Sequence, residues 1–534
     1  MLGGKLMNIE LKEKLEKFYD EQVWPHITLG EFIEDCAKKY GDKIALVDGD
    51  VELSYQELNR KACHYSNGLL KAGFKKGDRI VLQLPNCHEF VIMLFAMFKI
   101  GVIPVLSLPA HRKNEIKGIL EKSGAIAYIA KDKYLGFSYV EMIREVREEL
   151  NIDFEVYILG DNQGYKNFYN LNDKDYLYQH MDVDYKEIGL LLLSGGTTGI
   201  PKLIPRRHCD YIYVAKETAK RCKMDQDSIY LASLPIAHNF PLCCPGILGT
   251  FFIGGKVVLC PVTSPDEILP LIEEEKVTIT GLVPAMANIC IDFIKEDDYD
   301  ISSLKVLQVG GSVLEEKLAE KIEKEFGCKL QQIFGIAEGL IMTTSLDDDS
   351  KTIFTTQGKP ISEFDELLIV DEDGEEVKDE EYGELIVRGS YTIYGYYKLP
   401  EVNKKCIDKD LYFKTGDKAR KLKDENYQVV GRISETINRA GEKITPSEIE
   451  DILLSNENIG DVQVVGVPDE LLGEKIGVFI LKDEKDELSL EDIRTFLVNK
   501  NVAEFKLPDS IKYIDSWPLT ALGKIDRNKL KRIE

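Results

Sequence analysis

Apolar and polar positions fall into blocks whose rhythm changes twice along the chain. Ser264-Pro265-Asp266-Glu267 offers an N-cap, a proline at the first helical position and a glutamate able to close a capping box, so 268–276 is predicted helical. The apolar, β-branched run 277–282 then reads as a strand. The next unit repeats the order: a strand over 304–309 ending in Gly310-Gly311-Ser312, a helix over 315–326, and a strand over 329–334 entering Gly335. Such β-α-β order predicts parallel sheets covered by helices, with ligands at the carboxyl ends of the strands. The most apolar stretch, 90–110, is interrupted by Lys99 and Pro104 and falls short of the ~20 apolar residues that cross a bilayer. It reads as a buried helix running into a strand.

From about Asp365 the segments shorten to 366–371, 383–388 and 428–431, punctuated by acidic turns such as Asp371-Glu372-Asp373-Gly374, which reads as a small antiparallel sheet or barrel. After Arg432, Thr445-Pro446-Ser447-Glu448 repeats the capping-box chemistry, and 461–467, 476–481 and 510–514 read as strands of a compact α/β unit. The expected fold class is therefore α/β, with a large N-terminal domain of helix-covered sheets plus a small β-barrel, followed by a small α/β C-terminal domain. A boundary at Ile433-Ser434 divides the chain into 1–432 and 433–534.

Composition narrows the partners. Against 68 Lys+Arg stand 92 Asp+Glu, a net charge of -24 that disfavours a nucleic-acid partner held by its phosphates. The N-terminus turns acidic and amphipathic where a signal peptide would be apolar, so a cytoplasmic location and no membrane partner are expected. Eleven cysteines without a C-x-x-C pair read as reduced, mostly buried thiols.

The segment 190–205 holds an apolar strand, a loop of small residues (Ser194, Gly195, Gly196, Thr197, Thr198, Gly199), then Pro201, Lys202 and a second short strand. Small residues let the backbone wrap an anion with N–H groups and hydroxyls pointing inward. Ile200 and Pro201 separate Gly199 from Lys202, so a Walker A site is excluded and another kind of phosphate loop is implied. Four further motifs follow in order: Phe334-Gly335-Ile336-Ala337-Glu338, Tyr412-Phe413-Lys414-Thr415-Gly416-Asp417, Gly431-Arg432 with Asn438-Arg439-Ala440-Gly441-Glu442-Lys443, and Pro518-Leu519-Thr520-Ala521-Leu522-Gly523-Lys524. Together they resemble the adenylate-forming enzymes over nearly the whole chain.

That resemblance implies a carboxylate attacking the α-phosphorus of ATP and expelling pyrophosphate. Two anions meet, so positive charge is needed between them. The family implies Lys524 for that contact, Glu338 as the ligand of Mg²⁺, Asp417 and Arg432 at the ribose, and Gly310, Gly311 and Gly335 close against adenine and substrate. It also implies a mobile C-terminal domain that brings Gly441 and Lys443 to the site for attack by a pantetheine thiol. The family hinge, two residues after the arginine, is typically Asp or Lys, whereas this chain has Ser434 followed by Glu435.

The segment from Leu234 to Gly246 resembles that of the stand-alone aryl-acid ligases of siderophore assembly, which carry His-Asn followed by an aromatic residue. The resemblance implies that Asn239 bonds the ortho hydroxyl of a 2-hydroxybenzoate. His238 and Phe240 would wall a flat pocket completed by Gly311, Ser312, Ile333 and Ile341. A cysteine at Cys244, where catechol-specific members have serine, favours salicylate over 2,3-dihydroxybenzoate, because a thiol pairs weakly with a 3-hydroxyl. The acyl acceptor expected is the phosphopantetheine of a separate aryl carrier protein. An aryl-CoA ligase, a 2,3-dihydroxybenzoate ligase and a nucleotide-binding sensor are the alternatives.

Overall fold

The structure is a computed structural model that describes residues 8–533 except 151, 176–180, 195–200, 440–441, 470–471, 483–486, 501, 503 and 521–522, and omits the side chains of Ser434, Glu442, Lys443, Gly473 and Glu504. Among the described residues, the β-α-β rhythm builds two large sheets. One has nine strands and runs through Lys329–Ile336, Val306–Gly310, Ile279–Leu282, Ile229–Ala232, Lys256–Leu259 and Ile44–Asp48 in spatial order, all parallel. The other has seven, with Ile188–Leu193 and Leu203–Arg207 as an antiparallel pair at its edge. The helix His88–Lys99 is buried on every face within the large apolar core, which is why its sequence lacks a polar stripe. The strand Ile103–Leu106 follows it, as the apolar run predicts, and no helix among the described residues is long and apolar enough to cross a membrane.

Two capping boxes read from sequence do not form. Ser264 and Thr445 are the N-caps of Pro265–Glu275 and Pro446–Leu454, but neither side chain bonds the helix backbone. The Thr445 hydroxyl instead accepts from Lys418 Nζ at 2.7 Å, a tertiary partner that the local motif cannot show.

The barrel expected after Asp365 is, among the described residues, an open sheet. Glu366–Val370, Gly383–Arg388, Phe413–Lys421 and Tyr427–Arg432 form an antiparallel meander whose outer strands do not pair with each other. Four strands are few to close a cylinder. The edge at Tyr427 is already occupied: Gln357 N–H donates to the Tyr427 carbonyl at 2.9 Å, and Tyr427 N–H to that of Gly358 at 2.9 Å. From Ile437 onward a five-stranded sheet carries its own apolar core of Ile449, Val464, Val478 and Ile493 among others, with Ser510–Ile514 parallel to Gly473–Leu481. The eleven cysteines are free, eight of them buried.

Candidate functional site

The carboxyl ends of the parallel strands open into a cavity of about 1450 Å³ bordered by residues from both sides of Arg432. Lys524 enters it from the C-terminal segment. Lys524 is tied back to Thr520: Thr520 N–H donates to the Lys524 carbonyl at 2.7 Å, and Lys524 N–H to Thr520 Oγ1 at 3.2 Å. The side chain lies along Gly311, where a Cβ would be 3.2 Å from Lys524 Cε and 3.4 Å from Val283 Cγ1. Gly311 has φ +94°, which disfavours any other residue. Burial lowers the lysine's pKa, and Arg432 adds to this while Asp417 and Glu435 oppose it.

Asp417 and Arg432 are register partners on neighbouring strands, with Arg432 Nε 3.3 Å from Asp417 Oδ1. Burial pushes Asp417 up to about 6, with Arg432 and Thr415 pulling the other way. Both residues border the cavity.

His238 and Asn239 border the same cavity, and the lysine's charge is felt at His238. Burial first and Lys524 second hold that imidazole down to about 3, so it is neutral at ordinary pH. His238 Nδ1 accepts the Phe240 backbone N–H at 3.3 Å, which leaves the ring proton on Nε2. Gly311, Ser312, Ile333 and Gly335 also border the cavity. Four expected site residues, three of the acid pocket and the glycine Gly310, do not border it. Phe240 packs on Gly281, Ile341 lies against Gly335, and Cys244 is buried behind Asn239, whose Nδ2 donates to its sulfur at 3.4 Å. Gly310 is buried because its strand runs so close to the next that a Cβ would lie 2.1 Å from the Ile333 carbonyl oxygen.

Of the phosphate loop, Gly195, Gly196, Thr197, Thr198 and Gly199 lie outside the described residues, as does Gly441. The ends of the loop are tied together: Ser194 N–H donates to the Lys202 carbonyl and Lys202 N–H to Ser194 Oγ, each at 3.0 Å. Lys443 stands in the strand Glu442–Ile444, its side chain undescribed.

Glu338 occupies the turn joining Lys329–Ile336 to Leu340–Thr343. Three contacts fix that turn: Arg206 Nη1 to the Ala337 carbonyl at 2.8 Å, Ile393 N–H to that of Glu338 at 2.8 Å, and Thr392 Oγ1 to that of Gly339 at 2.9 Å. Tyr396 donates its hydroxyl to Glu338 Oε1 at 2.7 Å and holds its ring 4.6 Å from Lys202 Nζ. Sequence reasoning missed Tyr396, Arg206 and Tyr211, whose hydroxyl donates to Asn239 Oδ1 at 2.9 Å; all are remote in the chain from the groups they hold, and only for Tyr396 was a signal available, the aromatic-rich stretch at Tyr394, Tyr396 and Tyr397. A separate group, Asp48, His88 and Glu89, serves the backbone: Asp48 Oδ2 accepts from His88 N–H at 2.9 Å and Nδ1 at 2.7 Å, where the helix His88–Lys99 begins.

The profile of the AMP-binding enzymes matches residues 33–397, and that of the AMP-binding enzyme C-terminal domain matches 448–524. The chain belongs to the AMP-binding enzyme family. It is accordingly an adenylate-forming enzyme, with the large α/β portion and smaller C-terminal portion that its sequence implied. The 2,3-dihydroxybenzoate-AMP ligase of Bacillus subtilis is 41% identical over 97% of this chain and 96% of its own. The salicyl-AMP ligase / salicyl-S-ArCP synthetase of Mycobacterium tuberculosis is 38% identical over 95% and 91%. Among solved structures, apo MbtA of Mycobacterium smegmatis superposes with a TM-score of 0.76 at 35% identity, over 98% of this chain and 97% of that one. Members of the AMP-binding family thus align with this chain through both the sheets and the segment that carries Lys524.

Proposed function

We propose that this enzyme adenylates a 2-hydroxybenzoic acid, salicylate in preference to 2,3-dihydroxybenzoate, and passes the aryl group to the phosphopantetheine thiol of an aryl carrier protein. One observation carries the reading: Lys524 reaches from the C-terminal segment to Gly311 in a cavity that His238, Asn239, Asp417 and Arg432 also border. A carboxylate oxygen of the acid bonds to the α-phosphorus of ATP, the bond from that phosphorus to the pyrophosphate oxygen breaks, and pyrophosphate leaves. The Lys524 ammonium, itself partly buried, lowers the repulsion between the two anions. Asp417 accepts hydrogen bonds from the ribose hydroxyls and Arg432 donates there; Ser194, Lys202 and the loop 195–200 receive the phosphates.

Glu338 fits Mg²⁺, since Tyr396 engages one carboxylate oxygen and hard oxygen donors suit that ion. When bound, Mg²⁺ would neutralise charge on the phosphate oxygens. Neutral His238 gives the acid an uncharged wall with one N–H donor. The salicylate preference is supported by the thiol at Cys244, which sits behind Asn239 with its sulfur already receiving Asn239 Nδ2, so this position offers no hydroxyl to pair with a second ring hydroxyl. For the transfer step, 1–432 and 433–534 are taken as two units pivoting near Ser434, so that Gly441 and Lys443 replace Lys524.

The test is substrate-dependent ATP–pyrophosphate exchange across a panel of benzoates, followed by thiol loading with a carrier protein and with free CoA. Strongest exchange with salicylate and loading of the carrier are expected. Stronger exchange with the dihydroxy acid would reverse the acid preference, and release of an aryl-CoA without carrier loading would reassign the acceptor.

A further inference from the structure

Asn239 could meet a ligand as donor or acceptor depending on which way its amide is turned, and the fold decides between them. Tyr211 projects from the helix His208–Arg221, is fully buried, and donates its hydroxyl to Asn239 Oδ1 at 2.9 Å. Among the described residues that hydroxyl has no other hydrogen-bond partner. Turning the amide over would leave a buried O–H without an acceptor, a costly state. With Oδ1 held, Nδ2 gives one N–H to Cys244 Sγ and keeps a second. Asn239 borders the cavity beside His238, which presents Nε2–H because its Nδ1 is an acceptor.

We propose that Tyr211 is a positioning residue that fixes Asn239 as a hydrogen-bond donor, so that the enzyme reads the ortho substituent of its acid as an acceptor. The inference rests on the assignment of Asn239 to the acid pocket. Chemistry then separates close analogues. A 2-hydroxybenzoate turns its O–H onto its own carboxylate and leaves phenolic lone pairs facing outward, which suits a donor. A 2-aminobenzoate also turns one N–H inward, but its outward N–H meets the Asn239 N–H head-on, and its lone pair is delocalised into the ring.

ATP–pyrophosphate exchange of the full chain with salicylate, 2-aminobenzoate and benzoate, for wild type and Tyr211→Phe, tests this. Wild type is expected to favour salicylate over 2-aminobenzoate in kcat/KM by about tenfold or more, the effect of a buried polar mismatch. In Tyr211→Phe the amide is free to turn, so the ratio falls toward one while benzoate, which lacks an ortho group, stays within about twofold. Equal losses for all three acids, or an unchanged ratio, would overturn the inference alone. A wild type that activates none of them removes the aryl-acid assignment and this inference with it. Should Tyr211→Phe not fold, wild type still decides: 2-fluorobenzoate, a small acceptor without a donor, is expected to exchange faster than 2-aminobenzoate, and the reverse order overturns the proposal.

Discussion

Gly311→Ala is expected to disable the enzyme through Lys524 rather than through the fold. The new methyl would sit 3.2 Å from Lys524 Cε, several tenths of an ångström inside the ~3.5–4.0 Å optimum for carbon pairs. The far end of a lysine yields more readily than Val283, 3.4 Å away, so the ammonium is displaced. Misplacing a reacting group by ~1 Å costs up to about 100-fold. The backbone at φ +94° adds about 1–3 kcal/mol of strain, read separately as a lower unfolding temperature. ATP–pyrophosphate exchange would be measured for wild type, Gly311→Ala, Lys524→Ala and the double variant. Losses of about 10- to 100-fold for Gly311→Ala and about 100- to 1000-fold for Lys524→Ala are expected. The double variant should be scarcely worse than Lys524→Ala, because the glycine acts by way of the lysine. Fully additive losses would show that Gly311 acts independently of Lys524 and overturn the prediction.

Two further predictions concern pH. Asp417 is held up to about 6, mainly by burial, and is the proposed ribose acceptor. As pH falls through 6 its carboxylate gains a proton, so KM for ATP should rise while kcat at saturating ATP changes little. A KM flat from pH 5 to 8 would count against that role. Glu315, at the N-terminal boundary of Glu316–Phe326 with no side-chain bond to the helix, is pushed up to about 8 by burial and by Glu450, Asp461 and Asp451, against Arg527. A carboxyl raised in the folded state contributes stability that is fully present below its ordinary value of about 4.3 and lost as pH rises through about 8. Thermal unfolding should therefore show a smaller drop between pH 6 and 9 for Glu315→Gln than for wild type; parallel curves would contradict the assignment.

The parallel α/β architecture was legible in residue order alone, because continuous apolar strands alternating with helices bury both faces of a sheet and permit little else. Ser510–Ile514 and Gly383–Arg388 match their predicted bounds, and Lys524, singled out from a short motif near the tail, borders the cavity. Local signals failed where a distant partner competed: Lys418 takes the Thr445 hydroxyl, and Gln357–Gly358 occupies the edge of the expected barrel. Only the tertiary structure placed Cys244 behind Asn239 and set Tyr211 on its amide, Arg206 on the Ala337 carbonyl and Tyr396 on Glu338. Those partners are separated from the groups they hold by 28, 131 and 58 residues for Tyr211, Arg206 and Tyr396. A hydrogen bond has a range of about 3 Å in space and none along the chain, so residue types and spacing name the reacting groups while packing alone decides which way they face.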